Sequence, residues 1–168
     1  ILPVYKNDKV PYVRLSINSI LNQTYQGGVT LYVGVDGPVG DDLTTCLKEY
    51  EVKGVRVQWF EENRGLAVVL NDLLEIVRRD SFEYIARMDA DDISMPDRCE
   101  KQVAMFEADP DLDIVGCPVK EFVGEPSNVV GSRDVPLDNE AIHKYCRRRD
   151  PFNHPAVMYR KSKLEKYG

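Results

Sequence analysis

Three carboxylates fall within four residues at Asp89-Ala90-Asp91-Asp92. Like charges so close repel, so without a cation the loop is destabilised or a carboxyl is pushed up in pKa. A divalent cation resolves the conflict. Mg²⁺ takes oxygen ligands, usually one or two carboxylates with substrate phosphates and waters, and Mn²⁺ suits the same donors. The D-x-D spacing fits a turn where one carboxylate holds the metal and the other reaches a neighbouring group. The plain alternative is an acidic surface loop with helix-capping aspartates. The run follows a strand-like stretch (82–88, FEYIARM) and precedes Pro96, which suits the first turn of a helix; that placement favours the metal. A calcium EF-hand starting at Asp89 is excluded, because Ser94 stands where that loop needs Gly and Pro96 lies inside it. A phosphatase-type aspartyl nucleophile belongs on the first strand, and Asp92-Ile93 does not continue its motif.

Other polar residues stand where strands end. Asp36 closes an apolar run (29–35, VTLYVGV) and is either a turn aspartate before Gly37-Pro38 or an acceptor for a base or ribose. Tyr5 can stack on a base or belong to the core. Asn63-Arg64-Gly65 precedes the best-formed helical stripe. It reads as a helix cap, or as a place where Gly65 lets backbone approach a ligand and the helix N-terminus receives phosphate. Asn71 flanks that stripe and reads by default as a satisfied polar helix residue. His154 reads as structural or as part of an acceptor loop. Arg147-Arg148-Arg149 reads as a solvated helix end, with phosphate or a lipid-linked acceptor as its alternative partner.

The elements that must position these groups alternate. Helical spacing marks 10–25 (Val13, Ile17, Ile20, Leu21), 41–52, 66–79 (Leu66, Val69, Leu70, Leu73, Leu74, Val77) and a stretch from Pro96 to about Asp109. Strands are expected at 1–5, 29–35, 55–59, 82–88 and 112–123. Alternation of this kind predicts an α/β fold, Rossmann-like, with a mostly parallel central sheet and helices on both faces. Ligands in such folds sit beyond the carboxyl ends of the strands. After residue 124 the pattern loosens; a helix at 138–148 and a short one at 161–168 are expected.

The 168 residues fit a single domain. A net charge of −6 argues against general nucleic-acid binding. Four cysteines at 46, 99, 117 and 146 form no C-x-x-C, which speaks for free thiols in a reducing, cytoplasmic setting. No apolar run approaches the ~20 residues of a membrane span, and no secretory leader is visible. The opening strand without a lead-in and the terminal helix suggest a fragment of a longer chain.

Together these motifs resemble the family 2 glycosyltransferases, inverting enzymes with the A-type glycosyltransferase fold. The matching residues are Pro3-Val4-Tyr5, Ser19-Ile20-Leu21-Asn22-Gln23-Thr24-Tyr25, Val35-Asp36, Asn63-Arg64-Gly65, Asn71, Asp89-Ala90-Asp91-Asp92 and Met95-Pro96-Asp97-Arg98, in the family order. Residues 152–164 resemble a segment that such bacterial enzymes carry before their acceptor-side residues. The resemblance implies a donor site in which Pro3, Val4 and Tyr5 line the base and Asp36 binds it, usually as uracil. Asn63 and Gly65 then lie along base and ribose, and Asn71 supports them. Asp89, with Ala90 beside it, reaches ribose or sugar, and Asp91 holds Mg²⁺ or Mn²⁺ against the diphosphate. It also implies a nucleotide-binding half at 1–120 and the start of an acceptor-side half at 121–168. The expected partners are a nucleotide-sugar donor, a UDP-sugar first, and a sugar or lipid-linked saccharide acceptor. The expected setting is bacterial surface polysaccharide synthesis, in the cytoplasm or at the cytoplasmic face of the inner membrane. Two features depart from the family: Asp36-Gly37-Pro38-Val39 replaces Asp-Asp-Gly-Ser, and Leu70 replaces an Arg before the helix Asn. The family's catalytic base falls beyond Gly168. A nucleotidyltransferase is the competing enzyme, but Lys6-Asn7-Asp8-Lys9 lacks the glycines it needs. A nucleotide-sugar-binding module without catalysis is the non-enzyme alternative.

Overall fold

Leu2, Pro3 and Val4 offer no polar side chain, and the strand they form, β1 (Leu2–Val4), is buried on both faces. The computed structural model describes residues 1–167. β1 pairs in parallel with β2 (Tyr32–Val35), and β2 with β3 (Arg56–Trp59). On its other side β1 meets β4 (Tyr84–Ala86): the Ile1 nitrogen donates to the Ala86 carbonyl at 2.7 Å, and the Met88 N–H to the Ile1 carbonyl at 3.0 Å. The chain therefore steps outward from β1 to β3 and returns past β1 to β4. That reversal leaves a crevice between β1 and β4 at their carboxyl ends, where ligands bind in open parallel sheets.

Helices cover both faces, as the alternation predicts. α1 (Val10–Leu21) and α2 (Asp41–Val52) bury Val13, Ile17, Leu43, Leu47 and Tyr50 against Leu2, Val4, Val33 and Val35. Leu21 turns outward and is half exposed, because α1 ends there. α3 (Leu66–Val77) lays Val69, Leu73 and Val77 on the opposite face with Tyr32 and Ile85. Gly34 permits that approach: a Cβ there would stand 2.7 Å from Val69 Cγ1. α4 (Arg98–Ala108) packs Cys99, Val103 and Phe106 against β4 and its neighbours, with Phe106 stacked on Tyr84 at 4.9 Å.

The second half departs from simple alternation. The single strand expected at 112–123 is two, β5 (Ile114–Val115) and β6 (Val119–Phe122). Between them Pro118 has no N–H to give a sheet, and Gly116 is crowded by Phe152, whose Cδ1 lies 2.9 Å from where a Cβ would be. β6 forms a separate antiparallel pair with β7 (Val129–Arg133). The place beside β4 is taken by β8 (Met158–Arg160), antiparallel to both β4 and β5. The helix expected at 138–148 is the shorter α5 (Asn139–Tyr145), capped by Asp138, whose carboxylate accepts from the Ala141 N–H at 2.8 Å. A 3₁₀ turn (His154–Ala156) leads into β8, and α6 (Lys161–Tyr167) follows. The stop expected at Gly168 lies outside the described residues. Pro96 sits in a turn ahead of α4 rather than in its first turn, and Asp97 is the N-cap. The four cysteines are free thiols. Among the described residues no helix is long and apolar enough to cross a membrane.

Candidate donor site

A cavity of about 470 Å³ opens at the carboxyl ends of β1, β2 and β4, within the size range of small-molecule sites. Pro3, Val4, Tyr5, Asp36, Asn63, Gly65, Asp89, Ala90 and Asp91 all line it. Asn71 does not; it is exposed on α3. A second cavity, of about 290 Å³, lies towards the amino ends of the strands, is mainly apolar, and has Glu83 as its one acid.

Asp36 is buried, and its carboxylate organises the loop before α3. Oδ1 accepts the Arg64 N–H at 2.7 Å and Oδ2 the Gly65 N–H at 2.9 Å. The Asn63 amide donates to the Asp36 carbonyl at 3.1 Å. Asp36 thus holds a turn, and it lines the cavity as well. Gly37 makes the close approach possible, since at φ 79° a Cβ would stand 2.4 Å from the Asn63 nitrogen. Gly65, at φ 87°, is the α3 N-cap and has no side chain to block the helix end. The first turn of α3 therefore borders the cavity through Gly65, Leu66 and Val69. Asp36 already takes the Gly65 N–H and the Gly65 carbonyl those of Val68 and Val69, which leaves the Leu66 N–H for an anion on this side.

The acidic run sits across from this helix end. Carboxylate oxygens of Asp89, Asp91 and Asp92 all lie within 4.8 Å of one another. Asp91 is exposed and makes no hydrogen bond or ion pair among the described residues. Asp89 is held by Arg87, at 2.5 Å and 3.0 Å through separate nitrogens, and its carbonyl accepts the Ser16 hydroxyl at 2.7 Å. Burial pushes the Asp89 carboxyl up; Arg87 opposes this and the like charge of Asp91 adds to it. Burial raises Asp92 too, reinforced by Asp89 and Asp91. An all-oxygen donor set, with the Asp91 carboxylate unpaired on the cavity side, fits Mg²⁺ or Mn²⁺ better than softer metals.

Reading by residue type missed Asp8, which also lines the cavity. Its carboxylate accepts the Tyr5 N–H at 2.9 Å. Burial pushes its pKa up, the Tyr5 amide opposes this, and Asp91 and Asp89 raise it further. Asp8 stands in the stretch behind β1, so position was the available signal. The Gln23 amide group explains part of the Ser19–Tyr25 motif. Its oxygen accepts the Cys99 N–H at 2.9 Å, and its nitrogen donates to the Met95 carbonyl at 2.8 Å. α1 is thereby tied to the turn that carries the acidic run into α4. His154 is exposed and outside the cavity; partial burial and the Arg87 charge lower its pKa. Arg147, Arg148 and Arg149 are exposed and form no ion pair among the described residues.

A helix end and an acidic turn meeting at the strand-order reversal of an α/β sheet is the architecture of the A-type glycosyltransferase class. The chain belongs to glycosyl transferase family 2, whose model matches residues 1–168. It is 35% identical over 164 residues to an uncharacterized glycosyltransferase of Haemophilus influenzae, covering 96% of this chain and 60% of that one. It is 32% identical to the amylovoran biosynthesis glycosyltransferase AmsE of Erwinia amylovora (98% and 60%). Against the O-antigen biosynthesis glycosyltransferase WbnJ of Escherichia coli the identity is 34% (99% and 62%). The chain thus spans about three fifths of these relatives' length. Solved structures of like fold include Staphylococcus aureus TarS 1–349 in complex with UDP-GlcNAc, at TM-score 0.69 and 18% identity, covering 98% of this chain and 45% of that one. The mannosyltransferase PcManGT of Pyrobaculum calidifontis, in complex with GDP-Man and Mn²⁺, gives TM-score 0.64 and 19% identity (99% and 46%).

Proposed function

We propose that the cavity binds the nucleoside diphosphate of a sugar donor, a UDP-sugar first, and that the whole protein transfers that sugar with inversion to a saccharide acceptor, free or lipid-linked. The setting is surface polysaccharide assembly, which the AmsE and WbnJ relatives support by their names. The observation that carries the donor site is the convergence in one cavity of the Asp36-held loop, the start of α3 and Asp91. Tyr5 and Pro3 provide the apolar wall for a base, and Asp36 and Asn63 its polar edge. The start of α3 faces the phosphates. Asp91 holds Mg²⁺ or Mn²⁺, which when bound stabilises the departing diphosphate as a Lewis acid. Asp89, on the other side of the acidic turn, accepts a ribose or sugar hydroxyl. Asn71 supports α3 from outside the cavity.

Inverting transfer also needs a general base, a contribution of about 10²–10⁴-fold. No carboxylate lining the cavity is assigned that role: Asp91 is given to the cation, and Asp8, Asp36 and Asp89 are each held by a backbone N–H or a guanidinium. Residues 1–120 form the donor half in this reading, and 121–168 begin the acceptor side, although β8 lies in the donor sheet. The 168 residues alone are expected to bind donor and to transfer poorly. Calorimetry with UDP, GDP and dTDP, with and without Mn²⁺, tests the reading. Metal-dependent binding of a nucleoside diphosphate supports it. Binding confined to nucleoside triphosphates points to nucleotidyl transfer instead, and robust sugar transfer by these residues alone overturns the assignment of the base elsewhere.

A further inference from the structure

Arg87 does not line the cavity, yet its side chain, 3% exposed, stands beside the acidic run. Nη1 donates to Asp89 Oδ2 at 3.0 Å and Nη2 reaches Oδ1 at 2.5 Å, a two-pronged grip. Nε is buried without a hydrogen-bond partner. An unpaired buried donor is costly, so the placement favours the grip on Asp89 over the arginine's own satisfaction. The backbone is clamped as well. The Arg87 N–H donates to the Val157 carbonyl at 3.0 Å, and its own carbonyl accepts from Arg98 Nη2 at 2.9 Å. Asp91, two residues beyond Asp89, has no such partner among the described residues and faces the cavity.

We propose that Arg87 is a positioning residue that divides the acidic run, holding Asp89 away from the cation and leaving Asp91 to receive it. Both Asp89 oxygens direct a lone pair at the guanidinium, and the lone pairs left over suit a hydroxyl donor. A cation drawn to Asp89 would stand against a buried positive charge. Asp91 meets no such opposition, and Asp92, also without a side-chain partner among the described residues, does not line the cavity. On the cavity side the run therefore offers one cation ligand, with its neighbours supplying field. The proposal rests on the donor-site reading for the presence of a cation.

The test is the affinity for Mn²⁺, with and without UDP, of the unaltered chain, Arg87→Met and Arg87→Lys. Loss of the arginine frees a second carboxylate and removes the repulsion, so Arg87→Met is expected to bind Mn²⁺ about tenfold more tightly. Arg87→Lys keeps the charge as a compact ammonium and is expected to stay within about threefold of the unaltered chain. The thermal unfolding midpoint should rise more on Mn²⁺ addition in Arg87→Met than in the unaltered chain. A merely structural arginine would give the reverse, weaker Mn²⁺ and UDP binding together, and that result or an unchanged Mn²⁺ affinity overturns the proposal. Should Arg87→Met fail to fold, Arg87→Gln carries the same expected direction. If the unaltered chain binds no Mn²⁺ with UDP, the cation reading of the cavity fails; a gain of Mn²⁺ binding in Arg87→Met still supports the role of Arg87, and no gain removes both.

Discussion

Asp91 is the residue on which the acidic cavity turns. Its charge raises the pKa of Asp8, Asp89 and Asp92 alike. Asp91→Asn is therefore expected to lower all three, and carboxyl-carbon NMR titration of the metal-free protein reads them separately. Unchanged titrations would mean that burial alone sets these values. The same substitution is expected to abolish the Mn²⁺ dependence of nucleoside diphosphate binding, by calorimetry, with the fold intact. The clustering of these carboxylates was legible in the sequence, because three acids in four residues need a physical resolution wherever they stand. The grip of Arg87 on Asp89 was not. An arginine two residues upstream on a strand shares a face with the aspartate, but the sequence does not say whether that face is buried.

At the scale of elements, loops were harder to read than helices. The repeating apolar positions of α3 mark its buried face at Val69, Leu70, Leu73 and Val77, and Asp41–Val52 falls where expected. The loop that binds α3 to β2 depends instead on contacts between residues 36 and 65, which no local pattern encodes. Gly37→Ala tests that loop. A Cβ would collide with the Asn63 backbone, and φ 79° is itself strained for Ala. We expect a loss of about 1–3 kcal/mol in denaturant unfolding, with nucleotide affinity falling as the Asp36-held turn is displaced. Gly34→Ala would push on Val69 and Leu73 side chains and should cost a similar amount while altering nucleotide affinity less. If the two variants weaken nucleotide binding equally, the turn has no special part in the site. The split of 112–123 into β5 and β6, and the entry of β8 between β4 and β5, were invisible for a related reason. Strand partners are set by burial across the sheet, and β8 carries only three residues.

For the whole molecule, one buried network ties the second half of the chain to the site. Arg98 is 8% exposed and, among the described residues, forms no ion pair with a carboxylate. It donates instead to the Arg87 and Val157 carbonyls at 2.9 and 3.1 Å and to the Gln102 side chain at 3.0 Å. Gln102 in turn donates to the Val115 and Ala156 carbonyls. β4, β5 and the entry to β8 thus share one clamp directly beneath the acidic turn. The raised carboxyls of Asp89 and Asp92 in that turn, and of Asp8 behind β1, have a consequence for stability. A carboxyl raised in the folded state binds protons there at a pH where the unfolded chain has released them. Folding stability from Asp8, Asp89 and Asp92 therefore falls as pH rises from the ordinary carboxylate value through their raised values, and stays lowered above. Asp91→Asn relieves the three, so in metal-free buffer the variant should be the more stable at neutral pH. Partial exposure and salt screening hold the gain to about 1 kcal/mol or less. The gap should close as pH falls through the carboxylate range, where the repelling charges are neutralised in both proteins. Comparing variant with parent cancels His154 and every other group they share. Saturating Mn²⁺ with UDP should reverse the order, since the ligand stabilises only a fold that binds it. Parallel stability curves for the two proteins from acid to neutral pH, in the absence of metal, would show that the acidic turn stores no repulsion for a cation to relieve.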